Sequence, residues 1–385
     1  MDVNELKVVA VIGAGDMGHG IAESALLAGF RVCLRDVTPE LAARGAARIW
    51  ESLRKFVEKG RIRQEHHDLI RHELLSVTAD LGEAVRGADL VIEAVPELMD
   101  LKKKLFRELD TLAPPHAILA SNTSTMSITE IAGATGRPGQ VVGLHYFNPA
   151  VLMPTVEVIR SAHTSEETME AAFGFCVKCG KKPVRVNKDV PGFIVNRVQA
   201  PGAVLLRCIL DAGVIPPEAV DAVMRGLGMP MGPFEVMDYT GLDVNVNAAN
   251  YFAETVHPDY APGRVLLELV AAGHLGKKTG RGIFDWSGGR PKIDLSLNAE
   301  GFSPVDLAAV AANEAAKLIE MGVADAETID RAVVGGMGFA IGPIAAVQGF
   351  GPADLAARLE NLAAVHGREI FQPCDTIRAG GYKTA

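Results

Sequence analysis

The sequence predicts a doubly wound α/β sheet followed by an all-α C-terminal domain that is tandemly duplicated. Three observations carry this. Lys7-Val8-Val9-Ala10-Val11-Ile12 is a continuous β-branched apolar run ending in a glycine-rich turn, the pattern of a strand buried on both faces. Strand-like and helix-like segments then alternate up to about residue 187, as a parallel sheet with crossover helices requires. Beyond that point the pattern is helical and repeats itself.

Taken in order, a helix is expected over residues 16–28 and a second strand over 31–35. Residues 38–75 read as a helix pair. It is longer than a crossover needs and rich in cations, with Arg44, Arg48, Arg54, Lys55, Lys59, Arg61 and Arg63. Residues 88–95, 116–120 and 139–144 read as further strands with helices between them. Lys188-Asp189-Val190-Pro191-Gly192 breaks the alternation, so domains are expected at 1–189, 190–290 and 300–385. In the helical part Gly213-Val214 and Gly232-Pro233 recur as Gly322-Val323 and Gly342-Pro343, offset by 109 (322 − 213) and 110 (342 − 232). Asp221 recurs as Asp330, and Lys278-Thr279 as Lys383-Thr384.

Composition narrows the function. The chain has 385 residues, 48% of them apolar, enough for two or three domains with large cores. Its net charge of −9 makes nucleic acid or an anionic membrane a poor partner, so an anionic substrate needs a local basic patch. Met1-Asp2-Val3-Asn4-Glu5 is acidic and lacks the apolar run of a signal peptide, and no stretch is long enough for a membrane span. A cytoplasmic protein is expected. Five scattered cysteines (33, 176, 179, 208 and 374) make no disulfide framework. The lone Cys176-Val177-Lys178-Cys179 leaves a redox or metal role beside a structural one, two thiols of one helix turned toward a core. No second pair or nearby histidines complete a metal site, and none is expected.

Gly13-Ala14-Gly15-Asp16-Met17-Gly18 is G-x-G-x-x-G directly after the first strand, the fingerprint of a Rossmann-type dinucleotide site. Gly13 permits the tight turn, Gly15 removes the Cβ that would block a pyrophosphate, and Gly18 lets helix and strand close up. The helix that follows offers free N–H groups to phosphate. Asp36 ends the second strand. A carboxylate there bonds a ribose 2′-OH and repels a 2′-phosphate, which favours NAD over NADP.

His145 follows the apolar run Val141-Val142-Gly143-Leu144 and is expected just past a strand end, where such sheets bind ligands. Glu157 lies within the apolar run Pro154–Ile159, where an unpaired carboxylate would be costly. The two are natural partners for proton transfer, because imidazole titrates near pH ~6.5 and a carboxylate fixes its tautomer. Spacing alone leaves a purely structural His–Glu bridge open.

At this point the sequence resembles the 3-hydroxyacyl-CoA dehydrogenase family. The motifs that carry the resemblance are Gly13–Gly18, Glu93-Ala94-Val95-Pro96-Glu97, Ser121-Asn122-Thr123-Ser124, His145-Tyr146-Phe147-Asn148-Pro149, Pro191–Arg197, Gly232-Pro233-Phe234-Glu235 and Gly276-Lys277-Lys278-Thr279-Gly280, in family order over about residues 1–286. The resemblance implies reversible oxidation of (S)-3-hydroxyacyl-CoA to 3-oxoacyl-CoA with NAD. It implies His145 as the general base, Glu157 as its orienting partner, and Ser124 and Asn196 as hydrogen-bonding residues around the reacting oxygen and the thioester. It also implies cofactor contacts from Glu97, Lys102, Ser124, Asn148 and Lys278, and coenzyme A contacts from Ser52 and Lys59. For Lys59 a solvated helix face stays open.

Two departures stand out. Met153-Pro154 occupies the place of the family's usual Met-Lys, which removes a backbone donor beside the site. The second helical copy has Val305 where the first has Asn196, and Asp306 where it has Arg197, so one site per chain is expected. The family's helical domain usually dimerises. A tandem copy could fill that surface, with the 330-region helices packed on the 200-region as a pseudo-dimer, and a homodimer is the alternative. Similar duplicated dehydrogenases also occur fused to an enoyl-CoA hydratase. Two other readings are a β-hydroxyacid dehydrogenase acting on free acids, which would rely on a catalytic lysine, and a dinucleotide-binding structural protein. The His145, Asn148 and Glu157 set argues against the first, and the His–Glu pair with Ser124 and Asn196 against the second.

Overall fold

The computed structural model describes residues 5–383. Met1–Asn4 at the start and Thr384 of the tail echo lie outside the described residues.

The apolar runs become strands and the amphipathic segments helices, in the order β1 (Val8–Ile12), α1 (Gly18–Leu27), β2 (Arg31–Arg35), α2 (Pro39–Glu58), α3 (Gln64–Leu69), β3 (Leu75–Thr78), α4 (Leu81–Val85), β4 (Leu90–Glu93), α5 (Met99–Leu112), β5 (Ile118–Ser121), α6 (Ile128–Ala132), β6 (Val141–Tyr146), β7 (Thr155–Ile159), α7 (Glu166–Lys178) and β8 (Lys182–Val186). The eight strands form one sheet, ordered β3-β2-β1-β4-β5-β6-β7-β8. Pairing is parallel except between β6 and β7. Residues 147–154 join those two strands, too few for a crossover, so the chain turns back beside itself. β1, β4, β5, β6 and β7 are buried along nearly their whole length, as continuous apolar runs predict. The sequence does not mark β3 or β8: β3 is half exposed, and β8 (KPVRV) interrupts its apolar residues with a lysine and an arginine.

The helical part follows as α8 (Val195–Ala212), α9 (Pro217–Gly226), α10 (Pro233–Thr240), α11 (Leu242–Thr255), α12 (Arg264–Ala271), α13 (Pro304–Glu320), α14 (Ala326–Met337), α15 (Pro343–Ala346), α16 (Pro352–His366) and α17 (Asp375–Ala379). Starts of corresponding helices, 195 and 304, 217 and 326, 233 and 343, 242 and 352, lie 109, 109, 110 and 110 residues apart. α10 and α15 begin alike, each with proline after a glycine N-cap, Gly232 (ψ 162) and Gly342 (ψ 162). Gly232 is obligatory, because a Cβ there would lie 2.2 Å from the Asp221 carboxyl carbon. That carboxylate accepts the N–H groups of Phe234 (2.9 Å) and Glu235 (2.8 Å) at the start of α10.

The chain divides into two compact units. One holds residues 1–195 together with 322–340, the other residues 196–321 together with 341–385. Within the first, α14 packs on β7 and β8, and Asn187 N–H donates to the Val323 carbonyl at 2.8 Å. Within the second, the 200-region is met by α13: the buried Arg197 Nε donates to Glu314 Oε1 at 2.5 Å. Among the described residues no helix is long and apolar enough to cross a membrane.

Candidate active site

The cofactor turn is built almost entirely from backbone. Gly13 sits at φ 103, and its N–H donates to the Arg35 carbonyl at 2.8 Å. A Cβ on Gly18 would lie 1.7 Å from the Gly13 carbonyl oxygen, so α1 can start this close to β1 only with glycine. A Cβ on Gly15 would meet no protein atom within 4 Å, which leaves that side of the turn open. α1 begins at Met17 without a side-chain cap and without an acidic residue in its first turn, a fit for phosphate. Asp36 Oδ2 accepts the Ala14 N–H at 2.8 Å and Oδ1 the Val37 N–H at 2.6 Å, so the carboxylate lies against the turn with lone pairs to spare. Asp16 is exposed and pairs with Arg48 of α2 at 2.6 Å. These residues fit a bound dinucleotide.

Beside the turn a buried network supports the Ser121–Thr125 loop. Glu93 ends β4 fully buried and takes the Val95 N–H (2.7 Å), the Ser121 hydroxyl (2.6 Å) and the Lys102 ammonium (2.6 Å). Lys102 also donates to the Val95 carbonyl (3.3 Å) and pairs with Glu97 (3.1 Å). Glu97 in turn accepts from Thr123, from the Ser124 N–H (2.8 Å) and from the Ser124 hydroxyl (3.3 Å). Burial disfavours the charged form of Glu97, but the Lys102 charge and these donors outweigh it and hold its pKa below the usual glutamate value. Lys102 is 1% exposed, and its ammonium is held inside this network by Glu93, Glu97 and the Val95 carbonyl.

His145 is the fifth residue of β6, which runs two residues further than expected, through Tyr146. The antiparallel register sets His145 directly opposite Glu157 on β7, and such pairs share a face. The Asn122 side-chain carbonyl accepts the Tyr146 N–H at 2.9 Å and fixes the strand end. His145 Nδ1 lies 2.6 Å from Glu157 Oε2. A carboxylate only accepts, so Nδ1 carries the proton and Nε2 is left as an acceptor. Glu157 Oε1 takes the N–H groups of Ile194 and Val195, both at 2.9 Å. Gly192 (φ 77) and Phe193 (φ 52) turn those groups inward. A phenylalanine at positive φ costs roughly 1–3 kcal/mol, which the surrounding packing must hold. The imidazole packs against the rings of Phe147 (centroids 4.6 Å apart) and Phe193 (5.8 Å).

The remaining expected residues fall on other elements. Ser52 is half-buried on α2, and Lys59, its C-cap, is exposed. Asn148 is exposed after β6. Asn196 and Lys278 belong to the second unit, where Lys278 pairs with Asp243 at 2.5 Å. Cys176 is buried near the end of α7, with its thiol pushed up to about 12 by burial, and Cys179 caps the helix. Among the described residues no group of three or more His, Cys, Asp and Glu is arranged to hold a metal ion.

A sequence model described as 3-hydroxyacyl-CoA dehydrogenase, NAD binding domain, matches residues 8–190. Its C-terminal-domain companion matches 192–286 and 301–380. A probable 3-hydroxybutyryl-CoA dehydrogenase of Bacillus subtilis (strain 168) is 44% identical over 290 residues, 73% of this chain and 98% of that one. Among solved structures, the 3-hydroxybutyryl-CoA dehydrogenase from Escherichia coli K12 superposes with a TM-score of 0.89 at 30% identity, covering 98% of this chain and all of that one. The (S)-3-hydroxybutyryl-CoA dehydrogenase from Ralstonia eutropha gives 0.70 at 34%, covering 73% and 99%. With both family models matched across nearly its whole length, the chain belongs to the 3-hydroxyacyl-CoA dehydrogenase family, the NAD-dependent oxidoreductases of 3-hydroxyacyl-CoA.

Proposed function

We propose that the chain interconverts an (S)-3-hydroxyacyl-CoA of short acyl length and its 3-oxoacyl-CoA, with His145 as general base and Glu157 as its fixed partner. The observation that carries this is the buried Nδ1–Oε2 contact of 2.6 Å, with the second carboxylate oxygen tied to two backbone N–H groups. His145 Nε2 accepts the proton of the 3-hydroxyl, and Glu157 stabilises the imidazolium without turning, because its oxygens are already committed. NAD, held by the glycine turn and Asp36, would supply the hydride acceptor for C3. Ser124, Asn148 and Asn196 orient the reacting oxygen and the thioester. Gly13, Ala14, Gly15, Asp16, Met17, Gly18, Asp36, Glu97 and Lys278 hold the dinucleotide, with Lys102 acting through Glu97. Ser52 and Lys59 bind coenzyme A.

The same reading takes residues 301–380 as a second, catalytically silent copy of the helical domain, supported by the matched offsets and by the two glycine-capped helices. Arg197–Glu314 then belongs to an intramolecular pseudo-dimer, which gives a monomer in solution; light scattering that finds a homodimer would count against it. A cytoplasmic place in fatty acid β-oxidation, next to an enoyl-CoA hydratase, completes the proposal. Its direct test is NADH consumption with acetoacetyl-CoA, where turnover is expected and its absence would refute the substrate assignment.

A further inference from the structure

α14 carries two successive glycines, Gly335 and Gly336, inside its last turn. Glycines weaken a helix interior, so a pair of them needs a reason. The packing supplies one. A Cβ on Gly335 would lie 1.9 Å from Thr155 Oγ1, and a Cβ on Gly336 would lie 2.9 Å from Phe147 Cζ. Thr155 stands two residues before Glu157 on β7, so the period of two puts it on the face that carries the glutamate, and Phe147 directly follows β6, two residues beyond His145. The Phe147 ring lies 4.6 Å from the imidazole, tilted by 57°. An unbroken line of contact thus runs from the α14 backbone through Phe147 to His145.

We propose that α14, although it falls in residues 301–380, the later stretch matched by the C-terminal-domain model, is a positioning element of the active site. The glycine pair lets the helix close on Phe147, and Phe147 holds the imidazole in the orientation that Glu157 accepts. The second helical segment is then catalytically silent in its own residues but required for the geometry of the one site in the chain. This rests on His145 as the base.

Gly336→Ala tests it. Alanine favours helix, so α14 itself is not weakened, while its Cβ meets the Phe147 ring. For acetoacetyl-CoA reduction kcat is expected to fall at least fivefold, with KM for NADH within twofold. Phe147→Leu removes the ring atoms in the way, and in that background Gly336→Ala is expected to change kcat by less than twofold. Arg331→Ala, on the exposed flank of α14, is expected to leave kcat unchanged. The hydrogen-bonded Nδ1 proton of His145, followed by NMR, is expected to shift in Gly336→Ala and not in Arg331→Ala.

A kcat within twofold of wild type, or the same fivefold loss in the Phe147→Leu background, would overturn the proposal. If wild type fails to reduce acetoacetyl-CoA, the functional reading falls, and the NMR comparison still decides the role of α14. Should Gly336→Ala not fold, Ile329→Val trims one methyl from the buried face of α14. At least a twofold drop in kcat at unchanged KM for NADH is then expected, and an unchanged kcat would count against the proposal.

Discussion

At the β1–β2 end of the sheet the functional surface is backbone: two glycines with no room for a Cβ, a third open to solvent, and a carboxylate that accepts N–H groups from its own turn. At the β6–β7 end it is side chain: an imidazole and a carboxylate brought face to face by strand register, with the carboxylate anchored at the start of α8. The first kind of site is local in sequence, apart from Asp36, and rests on steric exclusion. The second draws on three segments and rests on a hydrogen-bond chain. A local steric site fails when an atom is added, whereas a long-range polar site fails when a charge is removed.

The sharpest break of that contrast is Glu157→Gln. It keeps the shape but replaces an acceptor with an amide, so kcat is expected to fall about a hundredfold or more while NADH binding, measured by fluorescence titration, stays within twofold. Equal losses in both would mean that the two ends are not independent. Next comes the pair Gly18→Ala and Gly15→Ala. The first adds a Cβ 1.7 Å from a carbonyl oxygen and is expected to lower both Tm and NADH affinity. The second meets no protein atom within 4 Å, so Tm holds while NADH affinity falls about tenfold. A Gly15→Ala variant with normal affinity would remove Gly15 from the cofactor site. Asp36→Ala has a smaller expected effect, a drop of roughly tenfold in the kcat/KM preference for NADH over NADPH, and an unaltered ratio would argue against a ribose contact.

The smallest effect concerns a second buried glutamate. Glu157 has three donors, whereas neither carboxylate oxygen of Glu23 on α1 makes a hydrogen bond of ordinary geometry. Burial pushes Glu23 up to about 7, against the opposing pull of the Ser52 hydroxyl and the Lys181 charge. Its folded value lies above its unfolded one, so the stability it contributes is full below the unfolded value and lost as pH rises toward 7. Glu23→Gln is expected to flatten that loss, gaining at most about 3 kcal/mol over wild type near pH 8. Denaturant melts at pH 5 and pH 8 would show it, and parallel pH dependence in the two proteins would count against the buried charge.

Much of this was legible in the residues. The G-x-G-x-x-G turn and its strand and the placing of Glu157 inside a strand follow from short-range rules: what backbone a glycine allows, and what an apolar run must bury. His145 was legible as a partner for Glu157, but its position inside β6 was not, because the strand end is set by Asn122 accepting the Tyr146 N–H from another segment. The role of Glu93 was not legible, since its three donors come from the turn after β4, from α5 and from β5. The burial of Lys102 between Glu93 and Glu97 was likewise not legible, because it cannot be seen along one helix.

By itself, then, the sequence determined the kind of sheet, the dinucleotide turn and the family, because each depends on local sterics or on a motif. Only the tertiary structure decided that β7 runs antiparallel to β6, so that His145 and Glu157 face each other, and that α14 closes on Phe147 behind them. Both depend on how distant segments share space, and that is settled by packing rather than by any one stretch of residues.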